Sequence, residues 1–139
     1  MEGEIGPFTY RKACIEDLQR INELTDVMEN YMAGLYGLKL SDADLEEEHY
    51  DEDEIDDVFV AVNNDDGTVI GYTSISRGED EWAGPHYELE HLAIDEDFRG
   101  VGIGKHLFAI LAQKAEAEGM NITAGTLERN RRALEFYES

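Results

Sequence analysis

Phe8, Tyr10 and Ala13 sit beside polar Thr9, Arg11 and Lys12, and then Ile15, Leu18, Ile21, Leu24 and Met28 recur at helical spacing. The pattern predicts a short strand feeding an amphipathic helix. Cys14 stands where a Ser or Thr N-cap is expected, with Glu16 and Asp17 in the first turn to suit the helix dipole. A buried bystander describes this thiol better than a reactive one. Valines and aromatic residues predict strands at Val58–Val62 and Val69–Ile75 around a turn at Asn63–Thr68, which makes a β-hairpin. A loop from Arg77 to Pro85 and a further strand from His86 to about Ile94 follow.

The apolar parity of that strand slips. Tyr87 and Leu89 hold odd positions, Leu92 and Ile94 even ones, so the period breaks near Glu90 or His91. A β-bulge has this effect, because one extra residue turns the later side chains over; a strand end buried on both faces is the other reading. Gly100, Gly102 and Gly104 come next, interleaved with the start of an apolar face of Ile103, Leu107, Phe108, Ile110, Leu111 and Ala115. That predicts a long helix ending near Gly119. Ile122 to Leu127 reads as one more strand, and Asn130 as the cap of a short helix reaching Tyr137. Strand, turn, helix and strand form a βαβ unit with a right-handed crossover. No repeat or linker divides the chain, so residues 1–139 are expected to form one domain.

With 139 residues, 42% of them hydrophobic, the chain has material for one core. Its formal charge is −22, and 33 acids face only 4 Lys. Such self-repulsion opposes compaction unless salt screens it, the Debye length being about 3 Å at 1 M against roughly 8 Å at physiological strength. The composition therefore suits a halophile cytoplasm. Asp42 to Asp57 holds eleven acids and no Lys or Arg. Lacking the glycine of a calcium loop, it reads as solvated surface, part of it helical, anchored by Leu45, His49, Tyr50 and Ile55. No basic stripe exists to neutralise phosphates, which disfavours a nucleic-acid partner, and none is expected. No apolar run reaches the roughly 18 residues of a membrane span, and no leader pattern precedes the first strand, so a cytoplasmic location away from membranes is expected. One cysteine and four histidines without zinc-ligand spacing predict no metal.

The segment Arg99-Gly100-Val101-Gly102-Ile103-Gly104-Lys105 follows a strand and opens a helix. Unpaired amides at a helix start cradle phosphate oxygens, and glycines let the phosphate approach. The spacing is neither the Walker pattern nor the full dinucleotide fingerprint, and a plain tight turn fits it too. Charge partition adds weight: residues 1–98 carry 5 bases and 28 acids, whereas residues 99–139 carry 6 bases and 5 acids. Arg99, Lys105, Lys114, Arg129, Arg131 and Arg132 thus point to a phosphorylated ligand, or else to salt bridges with the acidic part of the chain.

Leu92-Ala93-Ile94-Asp95 followed by Arg99 to Gly104 resembles the acetyl-CoA-binding motif of the GNAT acyltransferase superfamily, and Asn130 to Tyr137 resembles that family's C-terminal asparagine and Phe-Tyr motif. The likeness spans nearly the whole chain. It implies an α/β fold with a mixed, mostly antiparallel twisted sheet, a β-bulge, a V-shaped splay and helices on both faces. It also implies acetyl-CoA as co-substrate. The backbone of Leu92, Ala93 and Ile94 would bond the pantetheine arm, and amides of Gly100, Val101, Gly102, Ile103, Gly104 and Lys105 the pyrophosphate, with help from Arg99. Asn130 would bond the cofactor arm, and Tyr137 would protonate the departing thiolate. The family's usual last two strands have no counterpart after Ser139, so Ile122 to Leu127 would be an exposed edge or one covered by a partner chain, as in a homodimer.

The reaction implied is direct acetyl transfer to a primary amine of a small molecule or peptide; a non-catalytic CoA-binding or regulatory protein is the alternative. Glu88 and Glu90 share a strand face and are placed to take the amine proton through a water. His86 and His91 have no identifiable orienting acid in sequence and read as satisfied polar side chains. Tyr31, Met32 and Tyr36 fall where the resembling family flanks its acceptor. From the charge, the fold is expected to need salt: circular dichroism should show ordered structure in molar KCl that is lost in low-salt buffer, and full folding without added salt would overturn this.

Overall fold

The computed structural model describes residues 3–82 and 84–123. Strands β1 (Gly3–Ile5), β2 (Phe8–Lys12), β3 (Val58–Asn63), β4 (Val69–Asp80), β5 (Gly84–Ile94) and β6 (Asn121–Thr123) form one sheet in sequence order. Every neighbouring pair is antiparallel except β5 and β6. Helix α1 (Leu18–Leu35) follows β2, α2 (Asp42–Glu47) lies in the acidic stretch, and α3 (Ile103–Ala117) crosses from β5 to β6. Among the described residues, no helix is long and apolar enough to cross a membrane.

Successive strand residues face opposite ways, and that assigns the two long helices to opposite sides of the sheet. Tyr72 of β4 turns to α1, where its hydroxyl meets Thr25 Oγ1 at 2.5 Å. Gly71 turns to α3, and a Cβ there would stand 3.5 Å from Ile103. The buried core is correspondingly double: Ile21, Leu24, Met28 and Met32 line one side, and Ile103, Leu107, Ile110 and Leu111 the other. α1 runs further than the repeat from Ile15 to Met28 indicated. It stops where Gly37 takes a φ of 70° and the Leu38 amide returns to the Ala33 carbonyl.

Two local expectations change. The loop expected from Arg77 to Pro85 is instead a continuation of the ladder, with Glu79 opposite Pro85 and Asp80 opposite Gly84. Gly84, at φ 64°, supplies the reversal and leaves Trp82 exposed at the tip. Cys14 is exposed rather than buried. Its thiol is held in the protonated form by a hydrogen bond to Glu16, then by desolvation and Asp17, so its pKa is raised. The remainder of the strand expected at Ile122–Leu127, and the helix of Asn130 to Tyr137, lie outside the described residues.

The parity slip has its structural counterpart in β5. Leu89 faces Ile75 and His91 faces Ser74, so Glu90 has no partner in the ladder. This extra residue lets Tyr87, Leu89, Leu92 and Ile94 all serve the α3 side despite their change of parity. Ala93 and Ile94 are both buried as well, so the strand end is also covered on both faces.

Between β2 and α1, Asp17 accepts from Arg11 Nη1 at 2.7 Å and from the Cys14 amide at 2.8 Å. Burial would raise its pKa, but these bonds outweigh burial and hold it below the ordinary carboxylate value. The unfolded carboxyl, near pH 3.9, therefore protonates before the folded one, and the stability it confers is present above that pH and fades as pH falls through the folded value. Asp17→Asn should cost about 1–3 kcal/mol at neutral pH and flatten the acid limb of the stability profile, read by urea titrations across pH.

Candidate active site

The glycine turn leads into α3 without a side-chain cap. Gly100 and Gly102 have φ of 78° and 90°, values open to glycine and strained for other residues. The helix ladder opens with the bond from the His106 amide to the Gly102 carbonyl at 3.1 Å. The amides of Ile103, Gly104 and Lys105 therefore stand at the helix mouth, ahead of the ladder. A Cβ on Gly102 would meet no atom within 4 Å, so there is open space beside the turn at Gly102. Half-buried Arg99 and exposed Lys105 flank the turn. The residues expected to hold a pyrophosphate are thus brought together around one helix N-terminus.

The end of β5 adds a second set of backbone groups. The Asp95 amide bonds the Ile70 carbonyl at 2.7 Å, so alternation along an antiparallel ladder turns the Ala93 amide toward Tyr72. Leu92 and Ile94 then point their backbone groups away from β4, toward the β6 edge. The described pairing with β6 covers His86, Tyr87 and Glu88. Asp95 is fixed from α1 by Arg20, which also donates to the Val69 carbonyl at 2.9 Å.

On the α1 side of the sheet the bulge gathers side chains that lie far apart in sequence. His91 Nδ1 lies 2.7 Å from the Tyr50 hydroxyl, which also meets Ser74 Oγ at 2.5 Å. His91 Nε2 faces Glu29 Oε1 at 3.6 Å and Glu48 Oε2 at 3.7 Å, within ion-pair range. Two carboxylates on Nε2 favour a proton there, so in the neutral ring Nδ1 accepts from Tyr50. Burial, the largest influence, pushes the Tyr50 phenol far up and keeps it a donor at all ordinary pH. Tyr50 itself is placed by Asn22 of α1, which accepts from its amide at 2.8 Å and donates to its carbonyl at 3.2 Å; beside it His49 meets Asp26 at 2.7 Å. Of the anchors expected in the acidic stretch, Tyr50 and Ile55 are buried.

Glu88 and Glu90 behave differently from one another. Glu88 is opposite Ser76 and shares a face with His91 through Ser74, whereas Glu90 is the unmatched bulge residue and is exposed. His86 is buried and satisfied, meeting the Gly84 carbonyl at 2.9 Å and Glu88 Oε1 at 3.3 Å. Both histidines therefore meet an acid, against expectation: His86 its near neighbour Glu88, and His91 two acids from α1 and the acidic stretch that sequence proximity did not offer. The missed signal was Glu29, a carboxylate between Met28 and Met32 on the apolar stripe of α1. Met32 and Tyr36 line a cavity of about 230 Å³ together with Glu29, Ala33 and Leu40. Asn130 and Tyr137 lie outside the described residues.

The model of the acetyltransferase (GNAT) family matches residues 22–139, and the chain belongs to that family. No curated protein sequence matches it. Among solved structures it is similar in fold to a predicted acetyltransferase from Clostridium acetobutylicum determined with acetyl-CoA, at 16% identity and TM-score 0.66, covering 84% of this chain and 79% of the other. An aminoglycoside acetyltransferase from an uncultured soil metagenomic sample gives 19% identity and TM-score 0.60 over 94% and 85% of the two chains. The N-acetylglutamate synthase of Neisseria gonorrhoeae gives 20% identity and TM-score 0.59 over 94% of this chain, which spans only 28% of that enzyme's length.

Tyr50→Phe should cost about 1–2 kcal/mol and free the His91 ring, seen as a shift of its imidazole nitrogen resonances. An unchanged nitrogen spectrum would show that Tyr50 does not orient His91.

Proposed function

We propose that the protein transfers the acetyl group of acetyl-CoA directly to a primary amine. The observation that carries this reading is the bulge at Glu90 together with the glycine-opened N-terminus of α3, since they supply a local slip in the β4–β5 ladder and a cradle of amides. Acetyl-CoA brings an activated thioester and a pyrophosphate handle. The amides at the α3 mouth, with Arg99 and Lys105, suit the pyrophosphate, and the outward backbone of Leu92 and Ile94 suits the amide-bearing arm, with Ala93 between them. Asn130 is assigned to the same arm.

The amine must lose a proton as its nitrogen bonds the carbonyl carbon. Glu88 or Glu90 takes that proton through a water. Backbone amides beside the bulge stabilise the charge that develops on the carbonyl oxygen. As the carbon–sulfur bond breaks, the Tyr137 hydroxyl gives its proton to the thiolate. A CoA-binding protein without catalysis would share the cradle but not this turnover.

In molar KCl, release of free thiol from acetyl-CoA should rise when a panel of primary amines is added. Changing Glu88 and Glu90 together to Gln should lower kcat by roughly 10²-fold or more and remove the basic group from the pH profile, with CoA affinity kept. CoA binding without amine-dependent thiol release favours the non-catalytic reading, and an unchanged pH profile in the double variant would clear both glutamates.

A further inference from the structure

We propose that the cavity beside Glu29 seats a compact primary amine, its ammonium held by Glu29 and Glu48 and its apolar body resting on Met32, Ala33, Tyr36 and Leu40. This rests on the acetyl-transfer reading and narrows its acceptor. The first support is position. Glu29, Met32, Ala33 and Tyr36 follow one another at helical spacing, so a single face of α1 presents a carboxylate and then an apolar wall. Glu29 is only 8% exposed, and its carboxylate stands against His91, next in sequence to the bulge residue. Glu48 brings a second carboxylate to the same ring nitrogen, so two negative charges meet at one spot. A carboxylate oxygen from each of Glu29 and Glu48 and a ring nitrogen of His91 lie within 4.8 Å of one another. A cation at their centre offsets the repulsion between the two acids.

The second support is the shape and chemistry of the space. Its volume of about 230 Å³ equals that of roughly eight waters at ~30 Å³ each, below the ~300 Å³ where drug-sized sites begin. A small amine fits within it. A linear polyamine would lay its further ammonium groups against Met32, Ala33 and Leu40, where nothing compensates their desolvation. A divalent ion would be held by the two carboxylates, and by His91 only with its Nε2 proton displaced, yet leave the apolar wall without an occupant. The amine nitrogen so placed lies on the sheet face that carries Glu88 and His91.

Calorimetry on the full chain in molar KCl tests this with three probes: 2-phenylethylamine, the uncharged 2-phenylethanol, and spermidine. The amine should bind at least about tenfold more tightly than either of the others. Glu29→Gln should weaken it by about tenfold or more, half-exposed Glu48→Gln should weaken it in the same direction without threat to the fold, and Leu40→Trp should block it while CoA binding stays. Equal binding of amine and alcohol, or tighter binding of spermidine, overturns the proposal. So does zinc chloride binding alone, lost in Glu29→Gln and excluding the amine, which would make this a metal site. If other amines are acetylated but phenylethylamine does not bind, the seat fails and acetyl transfer stands. If phenylethylamine binds as expected and no amine releases thiol, acetyl transfer fails and the seat stands.

Discussion

One unpaired residue organises both faces of this sheet. Without the extra position at Glu90, Leu92 and Ile94 would turn toward α1 and His91 toward α3, exchanging an apolar surface for a polar one. The apolar partners of Ile103 and Leu107 and the meeting of His91 with Tyr50, Glu29 and Glu48 depend on the same slip of register. Fold and site therefore share a single constraint, which is why a local irregularity sits on an inner strand of the sheet rather than on an edge strand.

The two sides reach different compromises. Toward α3 the packing is mostly apolar, aliphatic side chains joined by Tyr10, Phe59 and Tyr87, with Tyr87 donating to Glu118 at its margin and backbone amides at the helix mouth. Toward α1 the core thins into hydroxyls and carboxylates: Thr25 and Tyr72, then Tyr50 and Ser74, then His91 with Glu29. A buried polar row of this kind is tolerable only while each member keeps a partner. The acidic stretch contributes directly here, since Asn22 grips the backbone of Tyr50 and Asp26 meets His49. What looks in sequence like solvated surface is in part a strap that delivers Tyr50 and Glu48 to the sheet.

Legibility followed the range of the interactions. The hairpin, α3, the glycine turn and the slip at Glu90 are written in periodicities a few residues long, which the order of residues along the chain displays directly. The His91 cluster joins α1, the acidic strap and β5, and no local pattern encodes that meeting. Only Glu29, out of place on an apolar stripe, carried a trace of it. The extension of the second hairpin through Glu79 and Asp80 was hidden because its residues are acidic and small, poor strand formers that pairing across the ladder overrides.

Trp82 is the sole tryptophan of the chain and stands 97% exposed at the tip of that hairpin. Its emission already reports water in the native state, so intrinsic fluorescence is a poor gauge of unfolding in this protein. The buried tyrosines, Tyr10, Tyr50, Tyr72 and Tyr87, occupy the asymmetric interior instead, which makes near-ultraviolet dichroism the optical signal that tracks the core.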